Sequence, residues 1–264
     1  MPIRLTLPPT FRDRIAGSDR PQLGMWVCSG SPLVAEICAG AGLDWLLIDG
    51  EHSPIGLETT SALLQAVAPY PVTPLVRAPS DDAVVLKQLL DLGAQNVLVP
   101  MVDTAEQAAD VVRAVRYPPR GVRGVGSALS RGARWSRVEK YMADVDRYVS
   151  VFVQVESGTG VENAAEIAAV DGVDGVFVGP SDLAASLGVL GQQTHPDVVA
   201  AVHRTFEAVR AAGKPVGVNA FDPEMAQEYL DAGASFVLVG ADVALLARGS
   251  EALADRWIGD DAES

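Results

Sequence analysis

Cysteine is scarce in this chain. Its 264 residues include two, Cys28 and Cys38, and these form no CxxC pair. That leaves no disulfide framework to staple a fold, and no Cys/His cluster has zinc spacing. Two isolated cysteines suit reduced, buried thiols in a cytoplasmic protein. Histidine is nearly as rare, with three residues in all, so each can be weighed singly. Positive charge is in deficit: Lys+Arg number 20 against 34 Asp+Glu, a net charge of −14. A surface that acidic repels phosphate backbones and anionic lipid, which argues against nucleic acid and membrane as partners. Long apolar runs are also missing; none approaches the roughly 18 residues of a membrane span. The opening MPIRLTLPPTFRDRIAG has neither an apolar h-region nor a small-residue cleavage site, so a cytoplasmic location is expected.

What is present is a rhythm. Short apolar, β-branched runs alternate with longer amphipathic stretches, the pattern of repeated β–α units and a parallel sheet. Strands are expected at 24–28, 45–49, 73–77, 96–100, 150–155, 174–179, 215–218 and 235–239. Most are near-continuous apolar runs, as in strands covered on both faces. Helices are expected over 57–69, 82–92, 104–116, 158–169, 196–212 and 223–232, where apolar residues recur three and four apart. Glycines at 39–42, 93, 213 and 233 stand just before strands, where a left-handed residue closes a helix. Eight such units predict an α/β fold, a single (β/α)8 TIM barrel that needs roughly 250 residues. An open doubly wound sheet is the runner-up. One domain, 1–264, is expected, with a short N-terminal extension and a frayed acidic tail at 258–264. Residues 117–134 break the rhythm, and an irregular insertion of that length is expected to be functional or mobile.

In such barrels chemistry gathers at the C-terminal ends of the strands. Strand two ends in Asp49-Gly50-Glu51-His52, strand three in Arg77, strand five in Gln154-Val155-Glu156. Strand six runs into Gly179-Pro180-Ser181-Asp182 and strand seven into Asn219. Glu156 and Asp182 follow neighbouring strands, and two converging carboxylates suit a hard divalent cation. The same spacing suits two surface acids at loop starts. His52 has the chemistry of a general base, and equally of an ordinary loop histidine. His195 and His203 fall in or near a surface helix and are read as structural. Arg77 can hold a carboxylate or stabilise an oxyanion, or else pair with a rim acid. Arg116, Arg120, Arg123, Arg131, Arg134 and Arg137 crowd the irregular segment, a positive patch able to receive an anionic substrate, or else a subunit contact or a solvated loop. SGTGVEN at 157–163 lacks the third glycine of a dinucleotide fingerprint, and neither a Walker A sequence nor a GxSxG elbow is present.

AGLDWLLIDGEH (41–52) resembles the signature of the HpcH/HpaI family of metal-dependent pyruvate aldolases. The likeness runs on through LVRAP (75–79), LKQLLDLGAQNVLVPM (86–101), RYPPRGVRGVGSAL (116–129), VFVQVES (151–157) and DGVFVGPSDLAASLG (174–188), and spans roughly 22–257. It implies a barrel of the phosphoenolpyruvate/pyruvate type. It implies a divalent metal, Mg²⁺, Mn²⁺ or Co²⁺, on Glu156 and Asp182. By the same resemblance His52 is the base, Asp91 raises its basicity, and Arg77 stabilises the transition state. Gln154 and the backbone at Ser181 contact the pyruvate moiety. Arg123, from the positive patch rather than the resemblance, is expected as a further substrate contact. Partners would be a 2-oxo acid, an aldehyde and further copies of the chain, often as a hexamer with an exchanged C-terminal helix. One position departs: the family commonly has an apolar residue after strand seven, where this chain has Asn219, so the donor or aldehyde that fits should differ.

The implied reaction cleaves a 4-hydroxy-2-oxo acid to pyruvate, or a relative such as hydroxypyruvate, and an aldehyde, with oxaloacetate decarboxylation as a side activity. Lys87 and Lys214 sit in helix or turn contexts, which argues against Schiff-base chemistry. A malyl- or citramalyl-type CoA-thioester lyase shares the barrel but needs room for the CoA arm. A non-catalytic 2-oxo-acid binder would need no base. A phosphate-binding isomerase would want a Gly-rich loop where VGADVAL (239–245) stands.

Overall fold

The computed structural model describes residues 3–258, so most of the expected acidic tail lies outside the described residues. The strands are β1 (Gln22–Val27), β2 (Trp45–Asp49), β3 (Thr73–Arg77), β4 (Asn96–Val99), β5 (Ser150–Val155), β6 (Gly175–Val178), β7 (Val216–Asn219) and β8 (Phe236–Ala241). All neighbours pair in parallel, and β1 closes on β8 through Gln22↔Phe236 and Leu23↔Val237. Closure removes the open-sheet alternative. The helices begin with α1 (Phe11–Ala16), α2 (Pro32–Ala39), α3 (Leu57–Ala66), α4 (Ala83–Asp91), α5 (Ala105–Val115) and α6 (Val145–Tyr148). They continue with α7 (Gly158–Glu162), α8 (Ala164–Ala169), α9 (Pro180–Ser186), α10 (Pro196–Ala211), α11 (Pro223–Asp231) and α12 (Asp242–Ile258).

Two apolar bodies hold the barrel. Outside, strand valines and leucines pack beneath the helices. Inside, Trp26, Trp45, Leu47, Leu75, Leu98, Phe152, Phe177 and Phe236 fill the lumen. Glycine makes room for the rings: a Cβ at Gly24 would lie 2.6 Å from the Trp45 indole, and one at Gly217 2.3 Å from Phe236. The N-terminal extension does more than lead in. Thr10 caps α1 in a reciprocal capping box with Asp13. This swings Phe11 into the strand-start end of the barrel, 4.9 Å from the Trp45 ring and 5.3 Å from Phe152. Its amide donates to Asn96 Oδ1 at 2.7 Å.

The stretch expected as one helix over 158–169 breaks at Asn163 into α7 and α8. Between α5 and α6 the chain is a series of turns, as its lack of periodicity foretold. Gly93 and Gly213 take φ +98° and +74°, as expected of residues that close a helix before a strand.

Candidate active site

The strand C-termini open onto a cleft of about 400 Å³. Its lining includes Trp26, Asp49, His52, Arg77, Gln154, Gly179, Asp182 and Asn219.

Asp49 and Arg77 are paired residues of β2 and β3, so the register alone sets them side by side. Arg77 Nε donates to Asp49 Oδ1 at 2.8 Å, and the amides of Glu51 and His52 donate to the same oxygen at 3.0 and 3.4 Å. Burial pushes the Asp49 carboxyl upward, but the hydrogen bond and charge of Arg77 and the two amides outweigh it and hold the pKa below the ordinary value. Gly50 permits this turn, since a Cβ there would lie 2.7 Å from the Arg77 carbonyl oxygen. Arg77 is further fixed by the Trp26 ring, 4.4 Å beneath its guanidinium, and by Glu51 Oε2, 2.8 Å from Nη1. The arginine is 5% exposed and faces the cleft as a preorganised donor. Burial raises Glu51 in turn; Arg77 pulls it back, while Asp49 and Asp182 push it up.

Glu156 lies behind the cleft wall, 2% exposed. Met101 N–H donates to its Oε1 at 2.8 Å and the Gln154 amide donates to its Oε2. Met101 holds a left-handed backbone, φ 55°, to present that amide, a strain of the kind stored at functional sites. A Cβ on Gly179, just past β6, would fall 2.6 Å from Glu156 Oε2 and 2.7 Å from Gln154 Nε2, so glycine there leaves both side chains in place. Burial, with the charges of Asp182 and Glu51, pushes Glu156 up to about 7. Gln154 Oε1 is buried without a hydrogen-bond partner among the described residues. No group of three or more His, Cys, Asp and Glu side chains forms a cation cage among the described residues. The chain instead offers two carboxylates, Glu156 and Asp182, beside an orphaned amide oxygen. That donor set fits an ion which keeps waters and substrate oxygens as its other ligands.

The other expected residues divide. Ser181 stands in the first turn of α9, where its N–H has no partner within the helix. Asn219, half-buried at the end of β7, accepts from Trp26 Nε1 at 2.7 Å. That bond occupies its oxygen and leaves its amide nitrogen free to donate. His52 is exposed, with Nε2 3.8 Å from Glu51 Oε2. Asp91 and Arg123 are not part of the cleft. Helix α4 runs against the strand direction, so Asp91, its last residue, sits toward the strand starts, away from His52. There it accepts from Arg123 Nη2 at 2.8 Å, and Arg123 is 1% exposed, stacked over the Tyr117 ring at 4.8 Å. Within this chain Arg123 has no access to a substrate and Asp91 none to His52. His195 and His203 are peripheral as expected, the first capping α10 and the second beside Glu228 at 3.1 Å. Sequence reasoning passed over Trp26, Glu51 and the Met101 backbone. The outer wall, Phe221, Met225 and Tyr229, was likewise unforeseen.

The family model for HpcH/HpaI aldolase/citrate lyase matches residues 22–249. The chain belongs to this family. It is 53% identical over 257 residues to the hydroxypyruvate/pyruvate aldolase of Deinococcus radiodurans, covering 96% of this chain and 92% of that one. It is 50% identical over 247 residues to the 4-hydroxy-2-oxo-heptane-1,7-dioate aldolase of Salmonella arizonae, 94% of each chain. A crystal structure of a family member from Burkholderia cenocepacia superposes with TM-score 0.89 at 40% identity, covering 93% of this chain and 97% of that one. With such relatives over nearly its whole length, this family member is an enzyme with aldolase, that is lyase, activity. Among its described residues no helix is long and apolar enough to cross a membrane.

Proposed function

We propose that the chain is a divalent-metal-dependent aldolase that reversibly cleaves 4-hydroxy-2-oxo acids to an aldehyde and pyruvate, or the related donor hydroxypyruvate. The observation that carries this reading is Glu156: a buried carboxylate pushed up to about 7, with Asp182 and Glu51 as like-charged neighbours. A hard cation would compensate the charge that burial first, and those neighbours second, disfavour. Glu156 and Asp182 would hold it, and Mg²⁺, Mn²⁺ or Co²⁺ suits oxygen donors. When bound, it supplies Lewis-acid polarisation of the 2-oxo acid.

The chain's own groups do the rest. The Gln154 amide and the Ser181 N–H hold the pyruvate moiety. Arg77, locked by Asp49, Glu51 and Trp26, donates to the oxygen on which negative charge grows. His52, its Nε2 3.8 Å from Glu51 Oε2, takes the proton of the 4-hydroxyl. The C3–C4 bond breaks, the aldehyde leaves, and the bonding pair stays with C3. One proton returned to C3, balancing the one His52 took, completes the 2-oxo acid product. Asn219 offers an amide N–H that a hydroxyl on the donor can use, which favours hydroxypyruvate over pyruvate.

A homo-oligomer, in the family's manner a hexamer with its C-terminal helix against a neighbour, accounts for α12. That helix packs its start on β1, β8 and α2, while Leu245, Leu246, Leu253, Trp257 and Ile258 stay exposed, Trp257 by 79%. The thioester-lyase reading is not favoured, since relatives at half identity are named aldolases of free 2-oxo acids. Pyruvate and hydroxypyruvate release from a panel of 4-hydroxy-2-oxo acids tests the proposal, first in chelator, then with Mg²⁺, Mn²⁺ or Co²⁺ restored. Metal-restored turnover is expected. Full turnover in excess chelator refutes the metal role; no release with metal bound refutes the aldol reading.

A further inference from the structure

The six arginines that crowd the irregular segment are sorted by the tertiary structure. Arg116 and Arg120 share Asp146, Arg123 takes Asp91, and Arg137 lies over the Trp135 ring. Arg131 and Arg134 are half-buried and pair with no acid among the described residues. Their known partners are carbonyls. Arg131 Nη1 donates to Leu92 O at 3.1 Å and its Nη2 to Leu64 O at 3.3 Å; Arg134 Nη1 donates to Arg131 O at 2.6 Å. Both guanidiniums close on Gly93, where a Cβ would lie 2.6 Å from Arg131 Nη1 and 3.0 Å from Arg134 Nη1.

Two like charges thus share one small, poorly solvated space. Burial and the neighbouring Arg134 charge drag Arg131 down to about 10. A guanidinium has five N–H donors, so each arginine keeps several unused. They border a cavity of about 150 Å³ that Arg14, Tyr70, Thr73 and Gln95 also line, with no Asp or Glu among its lining residues. Thr73 and Asn96 begin β3 and β4, so the cavity opens at the strand starts, the opposite end of the barrel from the cleft. In a chain of net charge −14, a pocket with three arginines and no acid runs against the whole surface.

We propose that this cavity binds a small tetrahedral oxyanion, a phosphate group, gripped by the forks of Arg131 and Arg134 with Arg14 at the mouth. Planar guanidiniums bind phosphate oxygens in pairs, and the anion cancels the repulsion between the two cations. Arg131 also joins the ends of α3 and α4 through Leu64 and Leu92, so an occupied site ties that end of the barrel together. The inference stands apart from the aldolase reading.

Inorganic phosphate is titrated into the full chain in chelator, at constant ionic strength set with chloride, with melting temperature and calorimetry as readouts. A saturable rise is expected. Arg134→Gln should weaken apparent affinity roughly tenfold or more, with aldolase turnover unchanged. Arg77→Lys, altered in the cleft, should keep the full phosphate response. Glycerol phosphate in a second arm separates sources: equal affinity assigns the site to a phosphate carried by a small molecule, and much weaker binding to the free ion. If Arg134→Gln does not fold, Arg14→Gln at the exposed mouth should weaken binding severalfold. The proposal is overturned by no saturable response, by equal responses in wild type and the Arg134 or Arg14 variant, or by a response lost in Arg77→Lys.

Discussion

Replacing Glu156 by glutamine should make the metal-free protein more stable while abolishing its activity. The wild-type carboxyl has an ordinary value of 4.5 and is pushed up to about 7 by burial and by Asp182 and Glu51. Between those values the folded chain holds a proton that the unfolded chain has released. Stability is therefore lost as pH rises from about 4.5 through about 7, and the loss is complete above that. At roughly 1.36 kcal/mol per pH unit, the ionised carboxylate costs the fold about 3 kcal/mol at pH 8. Glutamine keeps the shape and removes the charge. In a chain of this size about 3 kcal/mol corresponds to a melting temperature roughly 6–12 °C higher. The assay is thermal unfolding in chelator at pH 5 and pH 8 for both proteins. Wild type should melt lower at pH 8 relative to Glu156→Gln, with the gap closing at pH 5. A variant that melts at or below wild type at pH 8 would refute the account of Glu156 as an uncompensated charge. A bound divalent ion should shrink the same gap, since it supplies the missing counter-charge.

Three further outcomes are expected. Arg77→Lys keeps the charge opposite Asp49 but loses the fork, so kcat should fall about 10²-fold with little change in melting; Arg77→Ala instead strands a buried carboxylate at a folding cost of about 3–5 kcal/mol. Unchanged kcat in the lysine variant removes Arg77 from the chemistry. Asn219→Leu should lower the ratio of kcat/KM for hydroxypyruvate to that for pyruvate about tenfold, the worth of one hydrogen bond, without altering metal affinity; an unchanged ratio makes Asn219 a bystander. Trp257→Ser with Leu253→Ser should shift the sedimentation-derived mass to smaller assemblies, and an unchanged mass would mean that the exposed face of α12 is not an interface.

Eight strands, their order and the residues at their ends were legible in the sequence, because apolar runs and glycine stops are local signals that one stretch of chain carries by itself. The pairing of Asp49 with Arg77 was half-legible: both stood at strand ends, but only the register of β2 on β3 sets them 2.8 Å apart. Asp91 was legible only as a residue of a motif: the end of the barrel to which α4 delivers it, away from this chain's own His52, is set by the fold. The pairing of Arg123 with Asp91, 32 residues apart, was likewise invisible in the local pattern.

Taken alone, the sequence determined that the chain is built of eight β–α units, that its polar strand ends gather on one rim, and that its chemistry is that of an aldolase family. Barrel closure between β1 and β8, the plugging of the lumen by Phe11 and the strained Met101 amide on Glu156 were decided only in three dimensions. So was the sorting of the arginines into paired and unpaired. The physical reason is common to all four. Burial and charge compensation depend on neighbours far away in the chain, and no window of sequence contains them.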